Sequence, residues 1–195
     1  MTGSTIFALS SGRGRAGIAV WRVSGPLAGP IVQSISGVLP SPRTARLRTF
    51  RDETGLVMDQ GLVLWFPGPH SETGEDLAEF HGHGGRALML SMTRAFQHLG
   101  AVPAGPGDFT RRAVLTGKLD LTQAEALLDL VNADTEHQRQ RALAQAGGAL
   151  AALVGAWRQR LVRAMGHLEA LIDFPDEEIP PAVEAGLTDA VTSLR

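Results

Sequence analysis

Between Thr73 and Gly85 the chain places three acids, two histidines and four glycines in thirteen residues, Thr73-Gly74-Glu75-Asp76-Leu77-Ala78-Glu79-Phe80-His81-Gly82-His83-Gly84-Gly85. As a strand from Asp76 to His81, the alternation puts Leu77, Glu79 and His81 on one face and Asp76, Ala78 and Phe80 on the other. A carboxylate flanked by neighbours of the buried type is expected to be partly desolvated. Glu79, His81 and His83 alternate, so in an unbroken strand they would face one way, like the ligands of a 2-His-1-carboxylate metal site, with His70 as a fourth. Against a metal, the glycines at 82, 84 and 85 are expected to end the strand before His83, and nothing in the sequence fixes the ring orientations. The glycines also permit a sharp turn and a close approach to a ligand, at the N-terminus of a helix whose free N–H groups suit anions. The plain alternative is a strand–turn–helix connection with solvated acids.

The elements around this stretch follow from the spacing of apolar residues and breakers. Ile6 to Leu9 reads as a first strand. Ser10-Ser11-Gly12-Arg13-Gly14-Arg15-Ala16-Gly17 is either an anion-holding loop, through Arg13, Arg15 and backbone N–H groups, or a flexible hairpin loop. Ile18 to Gly25 is a strand on which Arg22 shares a face with Ile18 and Val20. Arg22 is therefore expected to be drawn inward and to need a carboxylate from the protein or from a ligand. Pro26 to Ile35 predicts a helix made imperfect by Pro30, Arg46 to Arg51 an edge strand, and Asp52 to Gly55 a turn. Leu56 to Phe66 predicts a strand bulged at Gly61, and residues 86–98 a helix. After Val102-Pro103-Ala104, Pro106-Gly107-Asp108 is expected to cap a helix from Phe109 to Leu115.

From Lys118 the character of the chain changes: glycine and proline thin out and no strand-like run occurs before Phe174. Thr122 to Ala133 predicts an amphipathic helix, and Asp134 or Thr135 caps the next. Leu143, Ala146, Leu150, Leu153, Trp157, Leu161, Met165, Leu168 and Ile172 then step by three or four, the spacing of a bundle or coiled-coil seam that Gly147 and Gly148 weaken without having to break. Asp176, Glu177 and Glu178 belong to an acidic, proline-stopped loop, solvated or catalytic, and Ala182 to Arg195 begins a helix with no terminal cap, the mark of a fragment or of a further domain.

The formal net charge of −2 advertises no global basic field for nucleic acid. Its distribution is uneven: residues 1–117 hold 11 Lys+Arg against 8 Asp+Glu, and residues 118–195 hold 7 against 12. The absence of cysteine excludes disulfides and thiolate chemistry. With no secretory signal and no apolar run of bilayer length, a cytoplasmic location and no membrane partner are expected.

Several stretches taken together carry a resemblance. In order they are Gly17-Ile18-Ala19-Val20-Trp21-Arg22-Val23-Ser24-Gly25, Leu64-Trp65-Phe66-Pro67-Gly68-Pro69, Thr73-Gly74-Glu75-Asp76, Gly82-His83-Gly84-Gly85, Pro106-Gly107-Asp108-Phe109-Thr110, Gly117-Lys118-Leu119-Asp120-Leu121, Gln123-Ala124-Glu125-Ala126 and Ile172-Asp173-Phe174-Pro175-Asp176-Glu177-Glu178. Over essentially its whole length the sequence resembles the N-terminal part of the tRNA-modification GTPase family MnmE, or TrmE. The resemblance implies an α+β folate-binding and dimerisation domain over residues 1–117, with a mixed sheet and helices similar to the folate domain of glycine-cleavage aminomethyltransferases. It implies that residues 118–195 are the first, all-α part of a helical domain. It further implies that the whole protein, with the FAD protein MnmG, installs a carboxymethylaminomethyl or aminomethyl group on C5 of the wobble uridine of tRNA. The one-carbon donor would be a tetrahydrofolate, in the 5-formyl or methylene form. Arg22, Glu79 and Lys118 fall on the family's folate-contact positions: Glu79 suits the pterin N3–H and 2-amino donors, and Arg22 and Lys118 suit the carboxylates of the glutamate tail.

The sequence has no Gly-x-x-x-x-Gly-Lys-Ser/Thr loop and no C-terminal Cys motif, so GTP, with its Mg and K ions, is expected only in a G domain that these residues lack. A homodimer is expected, with Ile6 to Leu9 and the Arg13–Arg15 loop left for a second subunit to cover. Two further readings are a dimerisation or docking module with a vestigial pocket, and a metal-dependent enzyme at His81 and His83.

Overall fold

The computed structural model describes residues 3–12 and 14–173. Arg13, the acids Asp176, Glu177 and Glu178, and the expected helix from Ala182 lie outside these residues. The chain folds as two compact units, Met1–Leu119 and Asp120–Arg195.

In the first unit β1 (Ile6–Leu9), β2 (Ala16–Ser24), β3 (Arg46–Arg51), β4 (Val57–Phe66), β5 (Leu77–Gly84) and β6 (Val102–Pro103) form one sheet in the order β3-β4-β5-β2-β1-β6. Neighbours are antiparallel except β1 and β6, so the sheet is mixed and the unit is α+β. Period-two alternation sends Ala19, Trp21 and Val23 of β2, Val63 and Trp65 of β4, and Ala78 and Phe80 of β5 to one face. There they pack with Ile31, Val32 and Ile35 of α1 (Ala28–Ser36) and Met92, Ala95 and Phe96 of α2 (Arg86–His98). Phe7, Phe96, Phe80 and Phe50 run through this core with ring centroids 5.0, 5.4 and 5.7 Å apart.

The alternation of β2 could be satisfied either way, since both faces read as apolar, and the larger Trp21 takes the core. Ile18 is consequently 67 % exposed, and Arg22 lies on the opposite face instead of being drawn into the core. Gly82 and Gly84 also depart from expectation, because they do not end the strand. They let neighbours close on it: a Cβ at Gly82 would meet Asp59 Oδ2 at 2.6 Å, and one at Gly84 the Ala16 carbonyl oxygen at 2.8 Å. Gly61 plays the same part in β4, whose register shift falls near Met58, between the pairs Phe50–Asp59 and Arg51–Val57. Pro30 is harmless in the first turn of α1, where its missing N–H would have had no helical partner. β1 is not left for another subunit to cover, since it is paired on both edges and Ile6 and Phe7 are buried.

The second unit holds α4 (Leu121–Val131), α5 (Glu136–Ala146) and α6 (Ala149–Asp173). Asp120 with Gln123, and Thr135 with Gln138, build reciprocal capping boxes at the starts of α4 and α5. Gln123 Nε2 donates to the Ala146 carbonyl at 3.0 Å, joining the start of α4 to the end of α5. The expected continuous helix is broken at Gly147 and Gly148, the latter at φ 86°, a left-handed conformation that stops a helix. Leu153, Trp157, Leu161 and Met165 of the predicted seam are 40–60 % exposed. Among the described residues no helix is long and apolar enough to cross a membrane.

Candidate functional site

β2 and β5 run antiparallel with Arg22 directly opposite Glu79, so both side chains rise from the face opposite α1 and α2. Arg22 Nε and Nη2 donate to Glu79 Oε1 at 3.1 and 2.8 Å. Its Nη1 pairs with Glu72, and its guanidinium lies 5.8 Å from the centroid of the Phe109 ring. On the other side of the carboxylate, His81 Nε2 stands 3.2 Å from Glu79 Oε2. The carboxylate partner that the sequence demanded for Arg22 is thus supplied by the protein, twice. A carboxylate offers about four lone-pair positions; the two contacts to Oε1 and the one to Oε2 leave room for one more donor.

Glu79 borders a cavity of about 340 Å³. Phe66 and Leu77 give it apolar wall; Glu72 joins Glu79 as a second acid; Arg43, His70 and Lys118 supply cationic or ionisable groups. Arg22 stands behind this wall, bonded to both acids. Lys118 reaches the cavity because the 73–75 loop lies tight against the segment that follows α3 (Asp108–Leu115). A Cβ on Gly74, which sits at φ 74°, would meet Thr116 Oγ1 at 2.6 Å and Lys118 Cγ at 3.2 Å, and Thr116 Oγ1 donates to the Thr73 carbonyl at 2.8 Å. The structure therefore brings Glu79 and Lys118 to one cavity, with Arg22 held against Glu79. Sequence reasoning missed Glu72, Arg43 and Ser71; no periodic signal marks residues on loops.

Beside the cavity a second polar cluster ties α3 to the sheet. Arg112, whose side chain is 7 % exposed, donates from Nη1 to Glu75 Oε2 at 2.6 Å and from Nη2 to the Ser4 carbonyl at 2.8 Å. Ser24 Oγ adds a bond to Glu75 Oε2 at 3.0 Å and lies 2.8 Å from Thr73 Oγ1. The two histidines of the metal reading do not converge. His81 turns to Glu79, while His83 gives Asp59 both its backbone N–H and a ring contact at 2.8 Å. Burial pushes the Asp59 carboxyl up, but these bonds from His83 outweigh it and hold the group below its ordinary value. Among the described residues no group of three or more metal-ligating side chains is gathered.

Residues 5–118 match the family described as "GTP-binding protein TrmE N-terminus", and residues 121–195 match the "MnmE helical domain". The chain belongs to the MnmE/TrmE family. It is 57 % identical to the tRNA modification GTPase MnmE of Paramagnetospirillum magneticum over 98 % of this chain and 44 % of that protein. It is 52 % identical to the protein of the same name from Acidiphilium cryptum, over 97 % of this chain and 44 % of the relative, and 50 % identical to that of Granulibacter bethesdensis, over 100 % and 44 %. The chain thus spans less than half the length of these MnmE relatives. Arg22, Glu79 and Lys118 all fall inside the TrmE N-terminal match, Lys118 as its last residue.

Proposed function

We propose that this chain is the reduced-folate-binding and assembly portion of a cytoplasmic tRNA-modifying GTPase that acts with MnmG on C5 of the wobble uridine. The observation that carries the folate reading is the Arg22–Glu79 pair beside a cavity that also takes Lys118. The donor set suits a pterin: a carboxylate faces the N3–H and 2-amino donors, apolar Phe66 and Leu77 flank the ring, and cations await a carboxylate tail. A volume of about 340 Å³ suits the head group. A bound tetrahydrofolate, as its 5-formyl or methylene form, would supply a one-carbon unit. With the head group on Glu79, Arg22 is too close to that carboxylate to serve the far end of the molecule as well. Its part is to orient Glu79, and the tail carboxylates fall to Lys118 and Arg43. Both pterin donors can be accepted only if one existing contact gives way, and the 3.2 Å contact to His81 is the longest.

Titration calorimetry with 5-formyl-tetrahydrofolate tests this on the wild-type chain and on Glu79→Ala and Lys118→Ala. Losing charge-assisted bonds costs about 1.5–3 kcal/mol, so Glu79→Ala should bind roughly ten- to a hundredfold more weakly. His81→Ala should bind as well as wild type or better. Equal affinity for wild type and Glu79→Ala would remove Glu79 from the site.

The same reading includes a homodimer through the first unit. Leu47, Leu62, His81 and Val20 align across four strands on the face opposite α1 and α2, with Leu47 58 % and Leu62 40 % exposed. The exposed Leu47 and Leu62 in that row favour burial against a second copy. Light scattering at several concentrations should show a dimer that reduced folate tightens; a monomer under all conditions would refute it.

A further inference from the structure

The edge strand β3 and the C-terminal end of α1 enclose a second cavity, of about 380 Å³, whose wall includes Ser34, Gly37, Arg48, Thr49, Arg51 and Gln60. Among the described residues no carboxylate lines it. Arg48 Nε is buried there without a hydrogen-bond acceptor, and its Nη1 makes only a long contact, 3.4 Å, to the Leu47 carbonyl. The enclosed Nε is out of reach of a ligand, so the Nη groups of Arg48 are the donors that one entering this cavity could meet. Arg51, at the exposed end of the same strand, spends Nη1 on the Gly55 carbonyl at 3.0 Å, and the guanidinium fork has four further donors.

The charge continues along the edge. From Arg43 to Arg51 four of nine residues are arginine and none is acidic. Arg43 is tied to the His70 carbonyl beside the Glu79 cavity, which leaves Arg46, Arg48 and Arg51 on the outermost strand of the sheet. At about 3.3 Å per residue, Arg46 to Arg51 covers roughly 17 Å. Arg48 and Arg51 share one cavity wall, and Arg46, on the same strand, lies outside it. Three arginines spaced along one edge strand fit a polymer whose phosphates recur. The outward N–H groups of an edge strand, the hydroxyls of Ser34 and Thr49 and the Gln60 amide add neutral partners for phosphate oxygens and ribose hydroxyls.

We propose that the β3 edge is a docking surface for the phosphodiester backbone of RNA, with Arg48 against one phosphate and Arg46 and Arg51 against its neighbours. This deepens the tRNA part of the function proposed above and rests on it. It is independent of the folate cavity.

Fluorescence anisotropy with a labelled, unmodified tRNA transcript, repeated over a salt series, tests the proposal on the full chain. The variants are Arg46→Gln/Arg51→Gln, both exposed and remote from the core, Arg48→Gln, and Arg94→Gln on the exposed side of α2 as a control matched in charge to Arg48→Gln. The double variant should bind about tenfold more weakly, and its slope of log K against log salt should fall by about 1.4–1.8, the share of two phosphate contacts. Arg48→Gln should lower the slope by about half as much, and Arg94→Gln should leave it unchanged. Wild-type affinity and slope in the double variant would overturn the proposal and leave these arginines as guards against edge-to-edge pairing. A wild-type chain that binds no tRNA would overturn it as well. Displacement of the transcript by inorganic phosphate at constant ionic strength would identify a small-anion site and refute the RNA assignment. Reduced-folate titration of the same variants should be unaltered; a failure to bind folate with RNA binding intact would fault the Glu79 cavity alone.

Discussion

A single methyl group at position 61 tests the close fit of the strands that hold the site. Gly61 is buried in β4, and a Cβ built there would stand 2.0 Å from the His81 carbonyl oxygen and 3.1 Å from Phe50 Cε2. Contacts of a Cβ below 3.0 Å are essentially never tolerated, so β4 and β5 would have to part by about 1 Å. The separation falls on the Leu62–His81 pair and weakens about two ladder hydrogen bonds, at about 1 kcal/mol each. Overpacking adds roughly 1–3 kcal/mol, and the stiffer unfolded chain returns about 0.4–1 kcal/mol. Gly61→Ala should therefore destabilise the first unit by about 2–4 kcal/mol. Urea denaturation followed by the fluorescence of the buried Trp21 and Trp65 measures it. Because His81 is two residues from Glu79, affinity for reduced folate should fall under conditions where the variant is still folded. A loss of stability below about 1 kcal/mol would refute the close approach of β4 to β5.

Two further outcomes follow from the ion pairs. Arg112→Leu breaks the pair with Glu75 and strips donors from the Ser4 and Ser24 carbonyls, so it should cost about 3–5 kcal/mol, and Arg112→Leu/Glu75→Leu should recover part of that loss; a cost under 1 kcal/mol by urea denaturation would show that α3 is held in place without this pair. At the start of α5, Arg139 and Gln140 hold the Glu136 carboxyl down to about 2 from an ordinary 4.5. A depressed carboxyl stabilises the folded state above its unfolded value and loses that contribution as pH falls through the folded one, so the difference in thermal midpoint between wild type and Arg139→Gln should be full above pH 4.5 and gone near pH 2; a difference that persists at pH 2 would contradict it.

The sequence showed most elements because their signals are local. The alternation in Arg46–Arg51 and the capping chemistry at Thr135 each act over a few residues, and both stand where the spacing predicts. What it misjudged depended on contacts between distant segments. Gly61 reads as a bulge and Gly82 as a turn because a glycine's permissiveness is visible in sequence, while the strand or carboxylate that closes on it is not. Arg22 reads as inward because Ile18 and Val20 are apolar, and only the competition with Trp21 for the core decides the face. The demand of Arg22 for a carboxylate was legible, and Glu79 was singled out independently. That the two satisfy each other follows from a register across 57 residues of chain, which no short-range pattern encodes. Glu72, on a loop, carried no signal at all.

That register also explains how the site can be changed without unfolding the protein. Trp21 pairs with Phe80 and Val23 with Ala78 on the core face of the same two strands, and all four are at most 2 % exposed. Burying side chains such as Trp21, Phe80 and Val23 contributes on the order of 1.5–3 kcal/mol apiece. A slip of one residue would turn this whole set out to solvent. Arg22 of the Arg22–Glu79 pair also holds Glu72, so replacing Glu79 leaves no unpaired charge. The core therefore sets the register, and the register places the charges. Replacing Glu79 should leave β2 and β5 in place while removing what a ligand would bind, so folded protein with weakened folate affinity is the outcome expected on the proposed function.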